Sequence, residues 1–216
     1  MTTAYRWRSR LLTEPLTTGP RLLLIVAFLL LIPTYVLPLW KLTMFAPQYP
    51  NGLRLNIYSY KLEGGNGGQD VKEINLLNHY IGMKDLSPSE FTEFKWIPFV
   101  VGMLALLFLR ALVHGKTSDL LDVAVLYAYF GLFALWSFGY KLYAYGHSLA
   151  PEAAVKVPPF MPPVLGHRKL ANFDVYSYPA GGSYALAGVA AVLLVAFLLA
   201  WRDALREEAA DARTAG

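Results

Sequence analysis

The chain contains no cysteine. Disulfide frameworks, thiolate zinc sites, iron–sulfur clusters and covalently attached haem are therefore excluded. Charge is scarce as well. Asp, Glu, Lys and Arg make up 16% of the 216 residues, against 56% hydrophobic residues, and mean hydropathy is +0.38. Soluble domains carry about 25% charged residues, so this composition points to a membrane protein. The net charge of +4 is modest and says little about nucleic acid, whose binders cluster basic groups on a soluble face; no nucleic-acid partner is expected. Paired catalytic carboxylates, a Ser–His–Asp order and a zinc-ligand cluster are missing too, so the expected protein is not an enzyme.

Apolar runs and aromatic residues are plentiful instead. A helix needs about 20 apolar residues to cross a bilayer core. Four segments qualify: residues 21–42, 96–113, 120–143 and 184–201. The first is expected to kink at Pro33 and Pro38. It is too long for a signal peptide, and no small-residue cleavage site follows it. Nine of the nineteen Lys and Arg lie on three short segments: Arg6, Arg8, Arg10 and Arg21; Arg110 and Lys116; Arg202, Arg206 and Arg213. By the positive-inside rule these segments and both termini are cytoplasmic. Loops 43–95 and 144–182 then lie outside. The expected fold is mainly α: a polytopic protein of four transmembrane helices, in a bacterial inner membrane, with a small extracytoplasmic α/β cap built from the two long loops.

The loops have internal patterning. "EGGNGGQD" (63–70) reads as a flexible turn with positive-φ positions rather than a calcium repeat or a phosphate loop. Val71, Ile74, Leu77 and Ile81 recur at helical spacing, and Gly82 is a helix stop. Ser87, Pro88 and Glu90 have the spacing of a capping box opening the second span. Residues 44–65 and 161–182 resemble each other. Each has a Met beside prolines, an alternating run ending in Tyr-Ser-Tyr, and Gly-Gly soon after. The reading is an internal duplication whose two strands, ending at Tyr60 and Tyr178, pair in a small sheet. On the last span, Ala187, Gly188 and Ala191 suit close helix packing within the chain or against another subunit.

None of the four histidines lies mid-span, which excludes a bis-histidine haem between helices. Lys141, near the outer end of the third span, is the one candidate intramembrane charge, and it is placed to snorkel. On the short helix of the first loop, Asn75, His79 and Met83 fall at i, i+4 and i+8. Imidazole and thioether together suit copper(I) where no thiol competes. His79 and Met83 are the primary metal candidates, and Met44, His147, Met161 and His167 are weaker ones. Each also has an ordinary structural reading, as a hydrogen-bonded histidine or a gap-filling methionine.

"YSYKLEGGNGGQD…INLLNHYIGM" together with "PPFMPPVLG…NFDVYSYPAGG" resembles a family of four-span membrane proteins from bacterial copper-enzyme loci, above all the accessory genes of second-clade nitrous-oxide reductase. The resemblance spans most of residues 20–200. It implies a role in maturation of, or electron supply to, a periplasmic copper enzyme, with lipid and other membrane or periplasmic proteins as partners. The competing expectation is a structural or anchor subunit of a larger respiratory or transport complex, with no ligand of its own.

Overall fold

The computed structural model describes residues 13–170 and 172–214. Arg6, Arg8 and Arg10, which weigh in the topology reading, lie outside the described residues. Four helical segments are long and apolar enough to cross a membrane: Thr18–Val36, Glu93–His114, Thr117–His147 and Gly181–Thr214. The chain divides into two compact units. The first comprises residues up to Ile32, Val100–Gly131 and the chain from Ala185. The second comprises Pro33–Phe99 and Leu132–Tyr184.

Helix α1 (Thr18–Leu31) is followed by a single turn, α2 (Pro33–Val36). Pro33 has no N–H to continue the ladder, and Ile32 bonds back only three residues, to the Leu29 carbonyl at 3.2 Å. The first span was expected to run to residue 42 but ends at Val36. Pro38 stops the helix, and the Leu39 N–H is taken by the Ile57 carbonyl at 2.7 Å. The apolar residues that follow form a strand, β1 (Trp40–Ala46).

In the first unit, each of the four segments buries a seam with steps of three and four. The seams are Leu24, Ala27 and Leu31 on α1; Val101, Leu104, Phe108 and Ala111 on α4 (Glu93–His114); Leu120, Val123, Tyr127 and Phe130 on α5 (Thr117–His147); and Val189, Leu193, Ala196 and Ala200 on α6 (Gly181–Thr214). A spacing averaging 3.5 residues is that of left-handed helix bundles. Tyr127 carries its hydroxyl to the Leu186 carbonyl at 2.6 Å. Gly188 brings α6 close to Leu30 as expected, but Ala187 and Ala191 are exposed: the seam passes through Val189. At one end of this unit Pro15 bridges to Lys116, and the Thr117 N–H donates to the Glu14 carbonyl at 3.1 Å.

The second unit contains a five-stranded antiparallel sheet in the order β3-β2-β1-β5-β4. Its other strands are β2 (Tyr49–Ile57), β3 (Leu62–Gly64), β4 (Gly166–Leu170) and β5 (Phe173–Pro179). β1 is central. Its Leu42 faces Leu55 on one side and Ser177 on the other, and Met44 faces Leu53 and Val175. The amphipathic helix α3 (Gln69–Ile81) covers one sheet face, with Ile74 packed in a core with Leu53 and Leu55.

Two expectations are corrected here. The strands of the duplicated segments do not pair with each other, because β1 lies between β2 and β5. The two segments also fold differently. Residues 58–60 leave the sheet in a bend, whereas 176–178 stay in β5, and 166–170 and 173–174 lie in two paired strands where 49–57 form one strand. Likewise, Ser87–Glu90 does not cap the second span. Ser87 precedes a single 3-10 turn, Pro88–Glu90, makes no side-chain cap bond, and α4 starts only at Glu93.

Candidate functional site

The glycine cluster ahead of α3 is built around one carboxylate. Asp70, 2% exposed, accepts the Arg54 N–H at 2.9 Å and the Asn66 Nδ2 donor at 2.7 Å. A Cβ on Gly65 would stand 2.4 Å from its Oδ2, so only glycine fits against that carboxylate. Asn66, Gly67 and Gly68 all adopt positive φ, which turns the chain into the helix. Asp70 thus ties the glycine loop to strand β2, one carboxylate oxygen serving each.

The far end of α3 decides the fate of the His79–Met83 pair. Gly82 adopts φ 78°, its N–H donates to the His79 carbonyl at 3.2 Å, and the Met83 N–H donates to the Asn78 carbonyl at 2.8 Å. This is a Schellman stop, in which the residue after the glycine leaves the helix and packs back on it. The expected face carrying Asn75, His79 and Met83 therefore ends before Met83. Asn75 is engaged as well, its Oδ1 accepting the Leu86 N–H at 2.7 Å. His79 remains exposed on the helix surface and Met83 is half-buried.

Three of the weaker candidates have side-chain contacts of their own. Met44 packs against the Leu53–Leu55–Ile74 core. His167 meets Asp174 Oδ1 at 2.8 Å and stacks on Tyr176 across the β4–β5 hairpin, with centroids 4.5 Å apart. His147, at the end of α5, has Nδ1 at 2.9 Å from the Tyr143 carbonyl and its ring on Tyr143. It lies about 200° around the helix from Tyr145, whose hydroxyl donates to the Asp85 carbonyl at 3.2 Å. The helix thus turns His147 away from the chain that follows Met83. The Met161 carbonyl accepts from Arg168 Nη1 at 3.0 Å. Among the described residues no group of three or more His, Asp or Glu is placed to hold a metal ion.

A second constellation was only half legible. Lys141 Nζ lies 3.4 Å from Glu93 Oε2 and donates to the Glu90 carbonyl at 2.9 Å. Ser137 Oγ donates to Glu93 Oε1 at 2.9 Å. Lys141 also stands over the Phe91 ring. Sequence reading singled out Lys141 but left it to snorkel. The missed signal was Glu93, a carboxylate just ahead of the second span. The pair neutralises two half-buried charges and ties the segment before α4 to α5.

Elsewhere in this unit, the Tyr49 hydroxyl donates to Glu73 Oε2 at 2.6 Å and Gln69 donates to Oε1 at 3.1 Å. These bonds hold the Glu73 carboxyl below its ordinary range, and the hydrogen bond to Glu73 pushes the Tyr49 phenol up. The chain matches no family model, and neither a curated protein nor a solved structure is significantly similar to it.

Proposed function

We propose that the chain is a non-enzymatic accessory protein of a bacterial inner membrane. Four spans anchor it, both termini are cytoplasmic, and its extracytoplasmic unit docks a copper-handling partner during maturation of, or electron supply to, a periplasmic copper enzyme. The observation that carries the docking half is a folded unit with its own core, made from the two loops between apolar spans. A mere anchor needs no such unit. The exposed apolar surface of the spans, with Leu22, Leu106, Leu132 and Leu194 turned outward, supports a lipid environment. Exposed Tyr35, Phe99, Tyr140 and Tyr184 in the second unit support a membrane–water boundary there.

The copper half rests on the absence of thiols, on the resemblance of the loop motifs, and on exposed His79. Docking is favoured over direct metal holding because Met44 packs in a core and the His147 and His167 rings already have hydrogen-bond partners. The topology is tested first. In this cysteine-free chain, Lys72→Cys in intact spheroplasts should react with an impermeant thiol reagent and Lys116→Cys should not; the reverse pattern removes the reading. His79→Ala should leave expression unchanged. If it also leaves Cu(I) retention by the purified protein unchanged, the metal-holding arm is discarded and docking stands alone.

A further inference from the structure

Asparagine followed by glycine occurs twice in the chain, at Asn51–Gly52 and Asn66–Gly67. The pair is chemically labile. The next residue's backbone nitrogen can attack the asparagine side chain, and glycine has no Cβ to obstruct the approach. Both asparagines are exposed, yet their surroundings are opposite. Gly52 is buried inside β2, and a Cβ there would stand 2.7 Å from the Phe45 ring. The backbone that would close on Asn51 is thus held in a strand and roofed by an aromatic side chain. Gly67 is exposed and has nothing within 4 Å of its Cβ position. Its N–H donates to no group among the described residues, whereas the Gly68 and Asp70 N–H groups are taken by the Gly65 carbonyl at 3.1 and 3.3 Å. Asn66 itself holds φ 52°, the one positive φ outside glycine among the described residues, a conformation that costs a residue with a Cβ.

We propose that Asn66–Gly67 is a self-modification site, converting to aspartate and isoaspartate while Asn51–Gly52 is protected, and that the acid formed loosens the glycine loop from β2. The Gly67 nitrogen loses its proton to solvent base and bonds to Asn66 Cγ. The Cγ–Nδ2 bond breaks, and Nδ2 leaves as ammonia with a proton from water. Water then adds to either carbonyl of the cyclic imide and opens it, giving aspartate or isoaspartate. Nothing is oxidised or reduced, and water is the sole co-reactant. The site does not depend on the docking reading or the copper reading.

The loosening follows from Asp70. Its buried carboxylate accepts the Asn66 amide at 2.7 Å and the Arg54 N–H at 2.9 Å. An acid at 66 withdraws the first donor and puts a carboxylate in its place. That carboxylate lies close to Asp70 and adds to the charge that Asp70 already exerts on Glu73. Like charges at such range repel, and a buried acceptor without its donor is costly. Isoaspartate also lengthens the main chain by one carbon between residues 66 and 67. The three successive positive-φ residues there, Asn66, Gly67 and Gly68, could not then keep the same turn.

The test incubates the full chain, folded in detergent micelles, in mildly alkaline heavy-oxygen water and follows both peptides by mass spectrometry. The Asn66 peptide should lose ammonia, then take up heavy oxygen and divide into aspartate and isoaspartate forms. The Asn51 peptide should keep its amide until the chain is unfolded in urea, where both sites convert. Hydrogen exchange over residues 54–70 should quicken in the converted protein and in Asn66→Asp, while the spans stay protected. Conversion at 51 as fast as at 66 overturns the proposal. So does an intact Asn66 after a period in which the unfolded chain converts. Unchanged exchange over 54–70, in both the converted protein and Asn66→Asp, overturns it as well.

Discussion

The first unit is packed along four seams of Leu, Val, Ala and aromatic residues, and its buried polar residues, Thr117 and Asp119, sit by the turn between α4 and α5. The second unit buries Thr34, Ser59, Asp70, Asn78 and Ser177 through its interior. Each has a local task. Ser59 donates to the Thr34 carbonyl at 3.0 Å, and Ser177 accepts from Trp40 Nε1 at 2.8 Å while donating to the Val164 carbonyl. Seam packing is non-directional and degrades gradually as methylenes are removed. A buried hydrogen bond is directional, and losing one partner leaves the other unsatisfied. The second unit should therefore be the less tolerant of small changes at chosen points.

The largest expected effect is at Gly146. A Cβ there would lie 1.8 Å from the Phe160 carbonyl oxygen, where the Phe160 N–H now donates to Gly146 at 3.1 Å. Gly146→Ala should cost about 3 kcal/mol or more, of the order of strong overpacking, and should expose residues 148–165 to protease. Gly131→Ala in the first unit meets nothing within 4 Å and should be neutral or slightly stabilising when both variants are compared by thermal unfolding, since alanine is the better helix former. Equal losses in both would erase the contrast.

Next comes Asp70→Ala, which strips the Arg54 N–H and Asn66 of their acceptor. It should destabilise the second unit by about 2 kcal/mol while helix content is retained. Hydrogen exchange resolved by segment would show the opening confined to residues 54–82; a uniform loss of protection across the spans would contradict it.

Strand order can be read out chemically with little change in stability. Lys41 has Tyr178 as its partner on one side and Asn56 on the other. Paired positions of neighbouring antiparallel strands are about 4.5–5.5 Å apart, within disulfide range. Lys41→Cys with Tyr178→Cys should cross-link on mild oxidation. Asn56→Cys with Tyr178→Cys, separated by β1, should not.

The smallest effect concerns pH. The Glu73 pKa is held down chiefly by the hydrogen bond from Tyr49. Its contribution to stability is complete above the ordinary glutamate range and is lost as pH falls through the depressed value. Tyr49, whose pKa is raised by that bond, contributes below the ordinary tyrosine range and loses it as pH rises through the raised value. Tyr49→Phe should flatten both limbs of the stability profile. A profile identical to that of the parent chain would mean the bond is without effect.

Much of the bundle was legible, because a seam of three- and four-residue steps is written locally. The four apolar segments appear as helices; three are longer than hydropathy alone implied, with α5 and α6 extending past their apolar stretches, and the first is shorter, ending at Val36. The helix over 71–81 and its stop at Gly82 were legible for the same reason. The role of β1 was not. "WKLTMFA" follows an apolar run, and its identity as the central strand depends on partners over a hundred residues away in β5. The helical alignment of Asn75, His79 and Met83 stops at the same kind of boundary. Spacing aligned Met83 with His79 only while the helix continued, and Gly82 ends it.

Composition, the four apolar segments, the amphipathic α3 and the lack of any thiol were settled by the sequence itself, since each depends on residue type and near-neighbour spacing. Tertiary structure alone decided that β1 separates the two similar segments, that Lys141 meets Glu93, that His167 is taken by Asp174, and that the Val155 N–H reaches the Tyr80 carbonyl. These are encounters between distant stretches of chain. Their geometry follows from sheet register, helix phase and the few places where glycine lets backbones touch, none of which is encoded in a local window.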